Sequence, residues 1–182
     1  MFKAGIDIFI FLCFHRMRIM NNMPVLDFNN TIGILMSKFR VMRHHDNKLI
    51  LSHLTVIYIK QSLGRLSALC GCVVAATGSS CGITYLMGGG YDEVTKAVKN
   101  MIGNLTGMIC DGAKPSCAMK CASGVSTAVV SALMAMNGRW VKSVEGIIDN
   151  DVDRSIRNLT DIGRDAMSET DAMILKIMTS KS

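Results

Sequence analysis

The sequence predicts an all-α fold: a compact domain of small-residue helices joined by glycine- and cysteine-rich turns. Apolar residues recur three and four apart through several separate stretches, the spacing of one helix face. Aromatic residues make up only 5% of the 182 positions, whereas methionine reaches 15 and glycine 16. Side chains this small and flexible suit closely packed helices better than a sandwich of sheets. One short piece alone, RWVKSVEGII around Val141, reads as a strand. A chain of this length fits one domain and can bury a sizeable core.

Taken in order, residues 1–48 form a divergent N-terminal segment of unknown role, basic, rich in methionine and weakly patterned. Its apolar run from Ile6 to Phe14 contains Asp7, is followed by Arg16 and Arg18, and has no small-x-small cleavage pattern, which argues against a secretory signal. Residues 49–182 form the helical domain. Ile50, Leu54, Ile57, Leu63 and Leu66 predict a helix over 48–69 that ends at Gly71. Val94, Val98, Met101, Ile102 and Leu105 share a face of a second helix, with Asp92 and Glu93 placed where a helix N-terminus favours acids. Gly107 and residues 111–115 break it. After Cys121 a small-residue helix runs to Gly138, the usual kind of stop. Val152, Ile156, Leu159 and Ile162 mark another helix. Ser168 with Asp171 has the capping-box spacing and opens a last one carrying Met173, Ile174, Ile177 and Met178.

Charge and hydropathy exclude some classes of function. The net charge is +6, but residues 1–50 hold 7 basic and 3 acidic side chains, so most of the excess sits there. The remainder has no basic stripe interleaved with aromatics, and nucleic acid is not an expected partner. Residues 66–90 and 121–138 carry no charge, and the mean hydropathy is +0.32. The first stretch is long enough to span a bilayer, yet its middle is ATGSSCG, whose backbone and hydroxyls lipid would leave unsatisfied. No membrane association is expected, and the chain is read as cytoplasmic.

Seven cysteines are the strongest chemical signal. Cys70, Cys72, Cys81, Cys110, Cys117 and Cys121 fall among glycines, serines and alanines, on or beside turns where several sulfurs can converge. Disulfides require an oxidising compartment. Structural zinc usually takes paired C-x2-C or C-x4-C units with partner pairs, whereas the spacings here are C-x-C, C-x6-C and C-x3-C, and His44, His45 and His53 lie outside the cluster. An iron-sulfur cluster fits better, because it needs only thiolates brought together from distant turns.

The strings LSHLTVIYIKQSLGRLSALCGCVVAATGSSCGITYLMGG, NMIGNLTGMICDGAKPSCAMKCASGVSTAVVSALMAMNG and EGIIDNDVDRSIRNLTDIG closely resemble the C-terminal half of the L-cysteine desulfidase family, relatives of the iron-sulfur L-serine dehydratase alpha chain. The resemblance covers residues 49–182. It implies an all-helical domain that holds a [4Fe-4S] cluster through three cysteines, and a β-elimination that turns L-cysteine or L-serine into pyruvate and ammonia with release of sulfide or water. The implied ligands are Cys70 in the LCGC turn and Cys110 and Cys117 in ICDGAKPSC, with Cys72 the rival for the first position and Cys121 for the third. Cys81, like those two rivals, is equally readable as a small buried thiol.

Gly71, Gly78, Gly82, Gly107 and Gly112 read either as places where backbone amides approach cluster and substrate or as helix breaks and tight packing. Asn104, Thr106 and Asp111 are candidate polar contacts to the small amino-acid substrate, and Lys114 a candidate for its carboxylate. Against each stands a plain turn-forming role. Family members are more than twice as long, and their N-terminal half adds a further functional cysteine and much of the pocket. Residues 1–48 do not resemble that half, and Cys13 is assigned no role. The chain alone is therefore expected to be inactive or nearly so. It would act with a separate polypeptide carrying the N-terminal half, or else be a remnant or binding module that keeps the helical fold. Apolar surface left exposed by the missing half would lower solubility and leave oligomer formation open.

Overall fold

A computed structural model describes residues 47–64 and 67–181. Cys13 and most of the N-terminal segment lie outside the described residues. Six α-helices follow in order: α1 (Asn47–Leu63), α2 (Gly71–Leu86), α3 (Tyr91–Leu105), α4 (Cys117–Met136), α5 (Val152–Asp161) and α6 (Ser168–Thr179), with a π-helical turn at Ile162–Ala166 between the last two. The fold is all-α, as the apolar spacing predicts. The RWVKSVEGII piece is turns, not a strand.

Helix α2 is the centre of the domain and packs against α1, α3 and α4. Eleven of its sixteen residues are buried, among them Val73, Val74, Ala76 and Cys81. Small side chains make this possible because they let neighbouring helices approach. At Gly78 an added Cβ would lie 2.6 Å from both the Ser52 carbonyl oxygen and Val56 Cγ2 of α1, and at Gly124 of α4 it would lie 2.8 Å from Cys72 Sγ. Any larger residue at either position forces the helices apart. Within the uncharged stretch, residues 67–86 are thus a turn followed by a core helix.

Three boundaries differ from the expected ones. Helix α1 stops at Leu63 rather than at 69, because Gly64 takes the left-handed conformation (φ +83°) and its N–H closes the last turn on the Lys60 carbonyl. Helix α4 begins at Cys117, a turn before Cys121. Ser168 does not cap α6. Met167 occupies that position, and the Ser168 hydroxyl donates back to the Asp165 carbonyl. The caps that do form are at α5, where the Asp151 carboxylate accepts from the Asp153 amide at 2.9 Å, and at α3, where Glu93 accepts from the Gly90 amide.

Buried Asn100 fixes the return after α4. Its side-chain amide donates to the Ser131 and Arg139 carbonyls and accepts from the Val141 amide, so each polar atom is satisfied. Helix α6 differs from the rest in having no buried residue, and Met173, Ile177 and Met178, expected to face a core, are exposed.

Candidate metal centre

Two chain segments distant in sequence meet at the N-terminal end of α2. Leu69 and Ile109 form an isolated antiparallel bridge, in which the Cys70 amide donates to the Met108 carbonyl at 2.9 Å and the Cys110 amide donates to the Ala68 carbonyl at 2.6 Å. The bridge pairs Cys70 with Met108 and Cys110 with Ala68, so the two cysteines stand diagonally across it. It is braced from below by the π-turn: the Ser67 hydroxyl donates to the Gly163 carbonyl and accepts from the Leu69 amide. Gly163 is required there, since a Cβ would sit 2.4 Å from Leu63 Cδ1 and 3.2 Å from Leu69 Cβ.

Cys70 is the N-cap of α2, and Cys117 opens α4. Both therefore stand at helix N-termini. Burial pushes the Cys70 thiol above its ordinary value. The Cys72 amide opposes that rise, while charge on Cys110 and on Cys117 adds to it, so both of those sulfurs lie within electrostatic reach of Cys70. The Cys117 thiol donates to the Gly112 carbonyl at 3.4 Å, and Gly112 turns the 111–116 loop with φ +93°.

Lys120, which sequence reasoning passed over, ties this end together. Its ammonium donates to the Ile109 carbonyl at 2.9 Å and to Asp111 Oδ1 at 2.6 Å, contacts that flank Cys110 on both sides. It is also within electrostatic range of Cys70 and Cys117. A signal for it was present: Lys120 is the one charged residue of α4, set one turn after Cys117 in CAMKC.

The remaining candidates sort by their contacts. The Cys72 thiol donates to the Lys120 carbonyl at 3.1 Å and packs against Gly124. Cys81 is fully buried in the body of α2. Cys121 is half-buried against the core. Asp111 is paired with Lys114 and Lys120, which hold its carboxyl well below the usual carboxylate range. Lys114 thus already has a carboxylate partner. The Thr106 hydroxyl donates to the Ile102 carbonyl within α3, and Asn104 is exposed on the last turn of that helix. Gly71, Gly107 and Gly112 lie around the cysteine end, whereas Gly78 and Gly82 belong to the buried face of α2.

Among the described residues no three His, Cys, Asp or Glu side chains converge closely enough to hold a single metal ion. A polynuclear cluster sets a different demand, for thiols standing apart around a larger body. Cys70, Cys110 and Cys117 are carried by three separate backbone segments, with Lys120 within electrostatic range of Cys70 and Cys117.

The family model of the serine dehydratase alpha chain matches residues 31–176, reaching upstream of residue 49. The chain is 78% identical over 133 residues to a UPF0597 protein of Bacteroides thetaiotaomicron and 77% identical over 133 residues to one of Phocaeicola vulgatus, each match taking 73% of this chain and 31% of the relative. A UPF0597 protein of Parabacteroides distasonis is 66% identical over 160 residues, 88% of this chain and 36% of the relative. The chain thus spans about a third of the length of these curated relatives. No solved structure matches it. With a family match over residues 31–176 and an all-helical fold among the described residues, the chain belongs to the serine dehydratase alpha chain family.

Proposed function

We propose that the chain is the cluster-binding part of a cytoplasmic lyase that eliminates the β-substituent of L-cysteine or L-serine, giving pyruvate and ammonia with sulfide or water. The reading is supported by the Leu69–Ile109 bridge, which ties the Cys70 and Cys110 segments together, with Cys110 and Cys117 both within electrostatic reach of Cys70. Cys70, Cys110 and Cys117 hold a [4Fe-4S] cluster. When bound, the cluster supplies an iron with a vacant position, a Lewis acid toward the leaving sulfur or oxygen.

The chain's own residues do the positioning. The bridge fixes two thiols through the backbone, and Lys120 fixes the Cys110 turn against α4. Lys120 also offsets the negative charge that the thiolates gather. Lys114, already paired with Asp111, releases it to take a substrate carboxylate, and Asn104 and Thr106 supply further polar contacts. No residue of the described part stands out as the base that removes the α proton. Turnover therefore needs a further polypeptide, of the kind that makes up the other two thirds of the relatives.

A second reading is favoured by that same coverage: a helical domain that keeps its cysteines without turnover. Iron and acid-labile sulfide content of the anaerobically purified chain tests the first. About four of each, lost on Cys110→Ser, supports the cluster domain. Zinc or no metal removes it and leaves the second.

A further inference from the structure

The cysteine end absorbs one end of α4 and leaves the rest of the helix unexplained. Helix α4 buries a narrow stripe of small residues, Gly124, Ala128, Ser131, Ala132 and Ala135, against α2 and α3. Its opposite side, Met119, Ala122, Ser126, Val130, Leu133 and Met134, is exposed. These positions repeat three and four apart and so form one continuous face, about 30 Å long for twenty residues. None is charged. A helix face meant for water normally carries charges. Here Met119 is 74% exposed, Val130 52%, Leu133 41% and Met134 37%. Val130, Leu133 and Met134 line a shallow groove completed by Asn137 and Arg139.

Three coverings suit such a face: a lipid bilayer, a second copy of the chain, or protein that this chain lacks. The helix is long and apolar enough to cross a membrane. A spanning helix, however, would have to withdraw from α2 and α3, undoing the Gly124 contact with Cys72 and the hydrogen bond from the Ser80 hydroxyl to the Ala128 carbonyl at 3.0 Å. The length of the relatives favours the third covering, because about two thirds of each is not represented here.

We propose that the outer face of α4 is the docking surface for the part of the family protein that this chain does not contain. This rests on the reading of the chain as one part of a longer lyase. Met119 lies at the Cys117 end of α4, whereas Val130, Leu133 and Met134 lie about 20 Å further along it, so a segment covering the whole face runs from the groove to the cysteine end. The covering segment is mainly apolar and lies along α4, with Arg139 at the rim of the groove as a charge it can pair with.

The test uses a full-length relative, the Bacteroides thetaiotaomicron protein, carrying a photoreactive amino acid at the residue matching Leu133. A control carries it at the residue matching Val144, a loop position 89% exposed. After illumination, peptide mapping is expected to join the first position to the uncovered two thirds of the same chain and to leave the control unjoined. Links to a second, isotope-labelled copy, links to lipid or detergent, or no link at all each overturn the proposal. In the present chain coexpressed with those two thirds, Leu133→Lys with Val130→Lys is expected to weaken co-purification at least tenfold while Val144→Lys leaves it unchanged. Iron content measured on the same samples separates the two readings. Iron retained without docking removes only this proposal, and docking without iron removes only the cluster.

Discussion

Helix α2 carries one cysteine at its N-terminal cap and another deep in its body, and their surroundings differ in the features that govern sulfur chemistry. Cys70 sits on a bridge between two chain segments, at a helix N-terminus, with two other thiols and a lysine in electrostatic range. Cys81 is fully buried in the α2 core, and burial pushes its thiol up to about 12. One region is built from backbone hydrogen bonds, ion pairs and turns, the other from glycine, alanine and serine packed to contact. A cysteine's identity in the sequence does not separate these roles. Its neighbours in space do.

The largest expected effect breaks the cysteine end alone. Replacing Cys70, Cys110 or Cys117 by Ser is expected to remove nearly all iron from the anaerobically purified chain, whereas Cys81→Ala leaves the iron content unchanged. Metal analysis and the visible spectrum check it, and iron retained by Cys117→Ser would move the third ligand to Cys121.

The second effect breaks the packed region alone. Gly78→Val places a side chain where 2.6 Å separates a Cβ from Ser52 and Val56, an overpacking that costs about 1–3 kcal/mol. Thermal unfolding is expected to show a drop of several degrees. Gly107→Ala, with open space around its Cβ position, is expected to stay within about 0.5 kcal/mol of the parent. The sequence offered both glycines the same pair of readings, and the contacts separate them.

A smaller effect sharpens the comparison at its polar side. Lys120→Met removes the two hydrogen bonds that flank Cys110 and is expected to weaken iron retention against a chelator roughly tenfold, the scale of a lost supporting contact around a metal site. Lys114→Met, which loses only its pairing with Asp111, is expected to do less. Equal loss from both variants would point to general charge rather than to the Cys110 turn.

What was legible in the sequence follows the same division. Helices α3 and α5 carry a strong apolar period, and their extents come close to those expected. The end of α1 was hidden because Leu66 and Leu69 continue its period, while the conformation of Gly64 is invisible in a residue list. The start of α4 was hidden because CAMK contains no breaker. Ser168 shows that a capping pattern is permission and not instruction, since the π-turn brings the chain in already helical. At the cysteine end the strings pointed to Cys70, Cys110 and Cys117, and Cys110 and Cys117 each lie within electrostatic reach of Cys70. Spacing gave no hint of the bridge between residues 69 and 109, which is a long-range pairing. Lys120 was missed because one charge in an apolar helix reads as a solubility device until its two acceptors are seen.

The smallest expected effect lies in alkaline stability and isolates the packed cysteine. In the unfolded chain a thiol ionises near 9.0, whereas Cys81 in the folded chain holds its proton up to about 12 because burial disfavours the thiolate. Between those values the unfolded state binds fewer protons than the folded one, so stability falls as pH rises from about 9 toward 12. Tyr58, buried and hydrogen-bonded to Asp153 at 3.1 Å, is raised from 10.0 to about 12 by burial first and the Asp153 charge second, and acts in the same sense from a higher starting point. Cys81→Ala is therefore expected to flatten the decline between pH 9 and 10 and to make it shallower above 10, where the Tyr58 contribution remains. Urea unfolding across that range measures both limbs. An unchanged slope below pH 10 would mean that Cys81 gives up its proton without unfolding, and the contrast between the buried thiol and the cysteine end would then rest on the bridge and on Lys120 alone.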